Sequence, residues 1–117
     1  MSWTFDEDKP IFQQITDHIA GGIVSGKYKP GEKLPSVREL ALEAGVNPNT
    51  MQRAMSTVEY MGLIVTNRTS GRIVTEDRVF LTRYRKSMLS QAASDYFAKA
   101  GELGFTREEA IAYLKEK

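Results

Sequence analysis

The chain contains no cysteine and one histidine, His18. Disulfides, thiolate catalysis and cysteine-based zinc sites are therefore excluded. One imidazole is too few for a histidine metal set or a serine-type triad. The sequence also lacks any run of about 18 apolar residues, the length a membrane-spanning helix needs. The first eight residues, Met-Ser-Trp-Thr-Phe-Asp-Glu-Asp, carry neither a basic head nor an apolar stretch, so no secretory signal is read there. A cytoplasmic protein without membrane association is expected. Strong charge of one sign is missing too, the formal net charge being +1. A nucleic-acid partner, if there is one, must be held by local contacts rather than by an overall basic field.

The composition is that of a globular domain, 41% hydrophobic and 26% charged over 117 residues. The charges are unevenly placed. Asp6, Glu7, Asp8 and Asp17 gather early. From Asn47 to Gly71 there are two arginines and one acid, Glu59.

Periodicity divides the chain into elements. Ile11, Ile15, Ile19 and Ile23 recur at i+4 after Pro10, which predicts an amphipathic helix over 10–25 ended by Gly26. Gly21 and Gly22 weaken its last turn, or let a neighbour approach closely. Lys29-Pro30-Gly31 is a turn signal. Ser36 and Glu39 form a capping box for a short helix over 37–44, with Val37, Leu40 and Ala41 buried and Gly45 ending it. Asn47 as cap and Pro48 as first residue open a third helix. Met51, Met55, Val58 and Met61 form its buried face. Extended runs over 63–66 and 72–75 flank Asn67–Gly71 as a hairpin. A fourth helix is expected over 77–99. Thr106 and Glu109 make a second capping box, opening a fifth helix with Ala110, Ile111 and Leu114 buried.

The fold expected is mainly α with a small β-hairpin. It is a winged helix-turn-helix followed by two C-terminal dimerisation helices. Residues 1–76 form the DNA-binding domain in this reading, and residues 77–117 the dimerisation region.

Three runs carry a specific likeness: Pro10–Ile15, then Gly26–Ala41 around Pro35-Ser36-Val37-Arg38, then Val46-Asn47-Pro48-Asn49-Thr50. They resemble the GntR family of transcription regulators over about residues 10–75. The short helical tail is similar to the YtrA-like subfamily. The resemblance implies a sequence-specific DNA-binding regulator, a dimeric repressor on a palindromic operator, with no catalysis and no cofactor. A small-molecule effector is compatible with the family, but no polar cluster marks a site for one. Where many members carry arginine, this chain has Pro48 and Gln52, with Arg53 about 100° further round the helix.

Each candidate contact has a plainer alternative. Arg38, in a first helical turn where positive charge opposes the helix dipole, points to an external anion; it could instead pair with Glu39 or Glu43. Ser36 could cap its helix, contact phosphate, or both. Asn49, Thr50, Gln52 and Arg53 fall in the first two turns of helix three, where a recognition helix reads bases. They could also be a solvated face. Either Gln52 or Arg53 should dominate base reading, and the residues leave open which. Arg68, Thr69, Ser70 and Arg72 form a wing suited to phosphate or minor-groove contact, or a solvated hairpin tip.

Phe80, Leu81, Tyr84, Met88, Leu89, Phe97, Ile111 and Leu114 make stripes too wide for one contact, which predicts a two-fold dimer. His18 reads as a surface or boundary residue and the methionines as core filler. Trp3 and Phe5 could cover the core or dock on a partner subunit. A rival reading, a winged-helix adaptor between proteins with no specific DNA site, is favoured by the low net charge.

Overall fold

The computed structural model describes residues 3–117. It contains α1 (Ile11–Val24), α2 (Val37–Ala44), α3 (Pro48–Tyr60), β1 (Ile64–Asn67), β2 (Gly71–Val74), α4 (Arg78–Glu102) and α5 (Arg107–Glu116). Two compact units result, 1–81 and 82–117. The first runs beyond Glu76 because Leu81, in the opening turn of α4, is 8% exposed, and because Phe80 packs over Gly62. Leu81 therefore belongs to the core of the winged unit rather than to a surface open to a second subunit. Asp77 starts α4 by accepting the Phe80 N–H at 3.0 Å.

The core of the first unit is the apolar stripe of α1, with Ile15, Ile19 and Ile23, set against Met51, Ala54, Met55 and Val58 of α3. Leu34, Leu40, Leu63, Ile64 and Val74 close it. Each such aliphatic contributes about 1.5–3 kcal/mol relative to exposure. Ala54 joins the buried face of α3, whereas Met61, expected there, is only half-buried beyond the helix end. β1 and β2 pair antiparallel with Thr66 opposite Arg72. The chain ahead of α2 runs along the other edge of β2, bridging Lys33 to Ile73. Leu34 N–H donates to Arg72 O, and Val74 N–H to Glu32 O, each at 2.9 Å. This bridge follows the Lys29–Gly31 turn read from the sequence, where no extended pairing was expected.

Gly22 is where α1 meets the loop that follows it. A Cβ there would lie 2.9 Å from two ring carbons of Tyr28, whereas one at Gly21 meets nothing within 4 Å. Tyr28 is itself buried. Gly21→Ala is thus expected to stabilise the protein by up to about 1 kcal/mol through helix propensity. Gly22→Ala is expected to lower the thermal midpoint, because overpacking of about 1–3 kcal/mol outweighs the same gain. Parallel melting curves check the pair; equal midpoints would show that Tyr28 moves aside without cost.

The second unit is slight. Tyr96 Oη donates to Ala110 O at 2.7 Å, the Arg107 guanidinium lies 4.1 Å above the Phe97 ring, and the buried apolar residues are Ala100 and Ala110. Ile111 and Leu114, expected to be buried, are exposed. Larger apolar side chains of these helices, Leu89, Leu103 and Phe105 among them, also stay exposed. Among the described residues no helix is long and apolar enough to cross a membrane.

The N-terminal arm lies on its own subunit. Trp3 stacks on His18 with ring centroids 3.9 Å apart, and its indole N–H donates to Glu43 Oε1 at 3.3 Å. Burial, reinforced by the Lys27 charge, holds the half-buried His18 imidazole below its ordinary pKa.

Candidate nucleic-acid interface

α2 begins at a complete capping box. Glu39 N–H donates to Ser36 Oγ at 3.1 Å, and Glu39 Oε1 accepts from Ser36 N–H at 3.1 Å. The backbone bond from Ser36 holds the Glu39 carboxyl below the usual carboxylate range. Ser36 is exposed as well as capping. Arg38 is exposed in the same turn. Its two possible acidic partners are engaged elsewhere, Glu39 with Ser36 and Glu43 with Trp3.

Gly45, left-handed at φ 70°, ends α2. Two residues on, Asn47 starts α3 by accepting the Asn49 N–H at 2.8 Å, with Pro48 as first residue. This short turn fixes α2 and α3 as a helix-turn-helix. On α3, Asn49, Gln52 and Arg53 are exposed and Thr50 is half-buried. Gln52 and Arg53 diverge. Gln52 Nε2 donates to Ser56 Oγ at 3.1 Å along the outer face. Arg53 turns toward α1, its guanidinium 4.6 Å above the Phe12 ring. That difference could not be seen in the sequence, because Phe12 lies 41 positions away.

In the wing, Asn67 Oδ1 accepts the N–H groups of Thr69 at 2.9 Å and Ser70 at 3.1 Å. The tip is thereby an ordered Asx-type loop with Arg68 exposed on it. Asn67 was missed as a determinant, although asparagine at the head of a tight loop is the available signal. Arg72 lies further down the stem and its Nε approaches Glu59 Oε1 at 3.4 Å.

An open cleft of about 850 Å³ runs between the start of α2 and the wing. It is lined by Lys33, Ser36 and Glu39 on one side and by Arg68, Ser70 and Arg72 on the other. With Arg72 paired to Glu59, Lys33 and Arg68 still face the one carboxylate of Glu39, so the local field is positive although the chain is almost neutral.

The family model of the bacterial regulatory proteins, gntR family, matches residues 11–74. The chain belongs to the GntR family. It is similar to the HTH-type transcriptional regulator YhcF of Bacillus subtilis, 36% identical over 111 residues, which cover 95% of this chain and 92% of that one. It is also similar to the HTH-type transcriptional repressor YtrA of the same organism, 33% identical, covering 92% and 83%. A GntR family transcriptional regulator from Listeria monocytogenes superposes with a TM-score of 0.89 at 38% identity, covering 97% and 99%. A structure of the AraR DNA-binding domain in complex with its operator matches at a TM-score of 0.54 and 25% identity, over 64% of this chain and 94% of that one. GntR proteins are DNA-binding transcription regulators and not enzymes, and the likeness to YtrA agrees with the subfamily read from the short tail.

Proposed function

We propose that this GntR chain acts in the cytoplasm as a dimeric repressor on a two-fold symmetric operator. α3 enters a major groove in each half-site, and the wing lies on the flanking backbone. The cationic cleft between the α2 N-terminus and the wing is the observation that carries the reading. It provides a place for the sugar-phosphate strand, with Lys33 and Ser36 on one bank and Arg68, Thr69, Ser70 and Arg72 on the other, while Arg38 is exposed in the same first turn of α2. Backbone N–H groups at the head of α2 and the arginine fork both suit phosphate. Asn49, Thr50 and Gln52 are then left to the base edges.

That YtrA is a transcriptional repressor and that the AraR DNA-binding domain is seen on its operator support this direction of control and this docking mode. The dimer is supported by Leu89, 73% exposed, and Leu114, 50% exposed, in a unit whose buried apolar residues are two alanines. So little internal core does not sustain two helices without a partner surface.

Footprinting on DNA upstream of the protein's own coding region tests the proposal. Two protected half-sites about one helical turn apart are expected, with affinity falling steeply as salt rises. Arg38→Ala should weaken binding by about 1–3 kcal/mol without changing the melting curve. Binding indifferent to salt and to Arg38 would favour a protein-protein adaptor.

A further inference from the structure

Glu59 stands near the C-terminal end of α3, away from the first two turns that face the bases in the reading above. Its carboxylate spans the wing. Oε2 accepts from the Thr66 hydroxyl on β1, while Oε1 accepts from Arg72 Nε on β2 at 3.4 Å. Thr66 and Arg72 are direct cross-strand partners. One carboxylate therefore grips both strands at the same rung of the stem. Its side chain is 33% exposed and that of Arg72 24% exposed, so the pair is shielded from solvent more than the tip beyond it.

We propose that Glu59 is a positioning residue for DNA binding, setting the wing against the recognition helix and aiming Arg72 at the phosphate backbone. The mechanical argument is that a two-stranded hairpin has little stiffness of its own. From Thr66 to Gly71 every residue is exposed, so apolar packing does not hold the outer wing. At rung 66–72 one side chain of α3 reaches both strands. The contact to Arg72 is made through Nε, which leaves the terminal amino groups of the fork for an external anion. A carboxylate beside a DNA site is otherwise unfavourable, since it repels phosphate. Its presence between a base-reading helix and a phosphate-binding wing is accounted for by the geometry it imposes.

The inference rests on the proposed DNA reading, and the sign of one substitution separates it from simple electrostatics. Glu59→Gln keeps size and shape but removes a negative charge. Charge alone predicts tighter operator binding; positioning predicts weaker binding. Operator affinity is measured across a salt series for the full chain, Glu59→Gln, Arg72→Ala and the double variant, with melting curves for each. The expected result for Glu59→Gln is a several-fold loss of affinity and a salt slope smaller by about 0.9, the value of one phosphate contact. The double variant should lose no more than Arg72→Ala alone. Arg72→Lys keeps the charge but offers one ammonium in place of the fork, so the group that pairs with Glu59 is the one the phosphate needs, and affinity should fall even if Glu59→Gln folds poorly. A Glu59→Gln or Arg72→Lys protein that binds as tightly as the parent, with the parent's salt slope, overturns the assignment to Glu59. A parent that retains no operator DNA overturns the DNA reading, and this proposal with it.

Discussion

Shortened to residues 1–81, the chain is expected to stay folded, become monomeric and bind its operator about 10²–10⁴-fold less tightly than the full protein, the factor lost when two linked half-site contacts become one. The position of the cut matters. Ending the chain at Asp77 would remove Phe80 from its packing over Gly62 and Leu81 from the core, so lost stability would be confused with lost avidity. Beyond Leu81 the side chains belong to the second unit. Leu89, Leu103, Phe105 and Leu114 are exposed there, and in the proposed dimer a second copy covers this apolar surface. In the full chain, Leu89→Asp should shift the same equilibrium toward monomer, because a carboxylate buried at an interface without a partner is costly. Sedimentation equilibrium with operator titrations decides the matter. A full chain that is monomeric at micromolar concentration contradicts the dimer. A 1–81 fragment that binds like the parent would assign the tail another purpose.

Gln52→Ala is expected to flatten discrimination among operator variants by about 1–3 kcal/mol at one base pair, while leaving binding to unrelated DNA nearly unchanged. Arg53→Ala should behave differently. Its guanidinium rests on Phe12 of α1, a contact worth about 0.5–1 kcal/mol at an exposed site. Its removal should lower stability slightly and weaken binding to all sequences alike, as loss of a backbone contact does. Competition titrations against operators altered one base pair at a time distinguish the two. Selective loss in Arg53→Ala with none in Gln52→Ala would reverse the assignment.

Most of the helices were legible in the sequence because their determinants are local. Isoleucines at i+4 marked α1. The Ser36–Glu39 and Thr106–Glu109 boxes marked two helix starts, and both form as read. Asn47-Pro48 marked the start of α3. Such signals act within a turn or two of backbone, so no distant residue can override them cheaply. The GntR likeness rested on equally contiguous runs, around Gly26–Ala41 and Val46–Thr50.

What the tertiary structure decided depends on residues far apart in the chain. Period and capping could not assign Leu81 to the winged core, since its burial comes from elements it meets only after folding. The same holds for Ile111 and Leu114, whose helical spacing fits burial but which stand exposed. The arm of Trp3 was undecidable until His18 and Glu43 came beside it. Gln52 and Arg53 were one polar pair until Phe12 drew the second aside. The Glu59 grip on Thr66 and Arg72 joins positions 7 and 13 residues apart, and it exists only once hairpin register sets those two opposite each other. Local sequence thus determined where elements begin and which face is apolar, because backbone hydrogen bonding and side-chain period are short-range. The direction and partner of each polar side chain at the candidate interface were left to tertiary packing, which alone brings distant groups within hydrogen-bond reach.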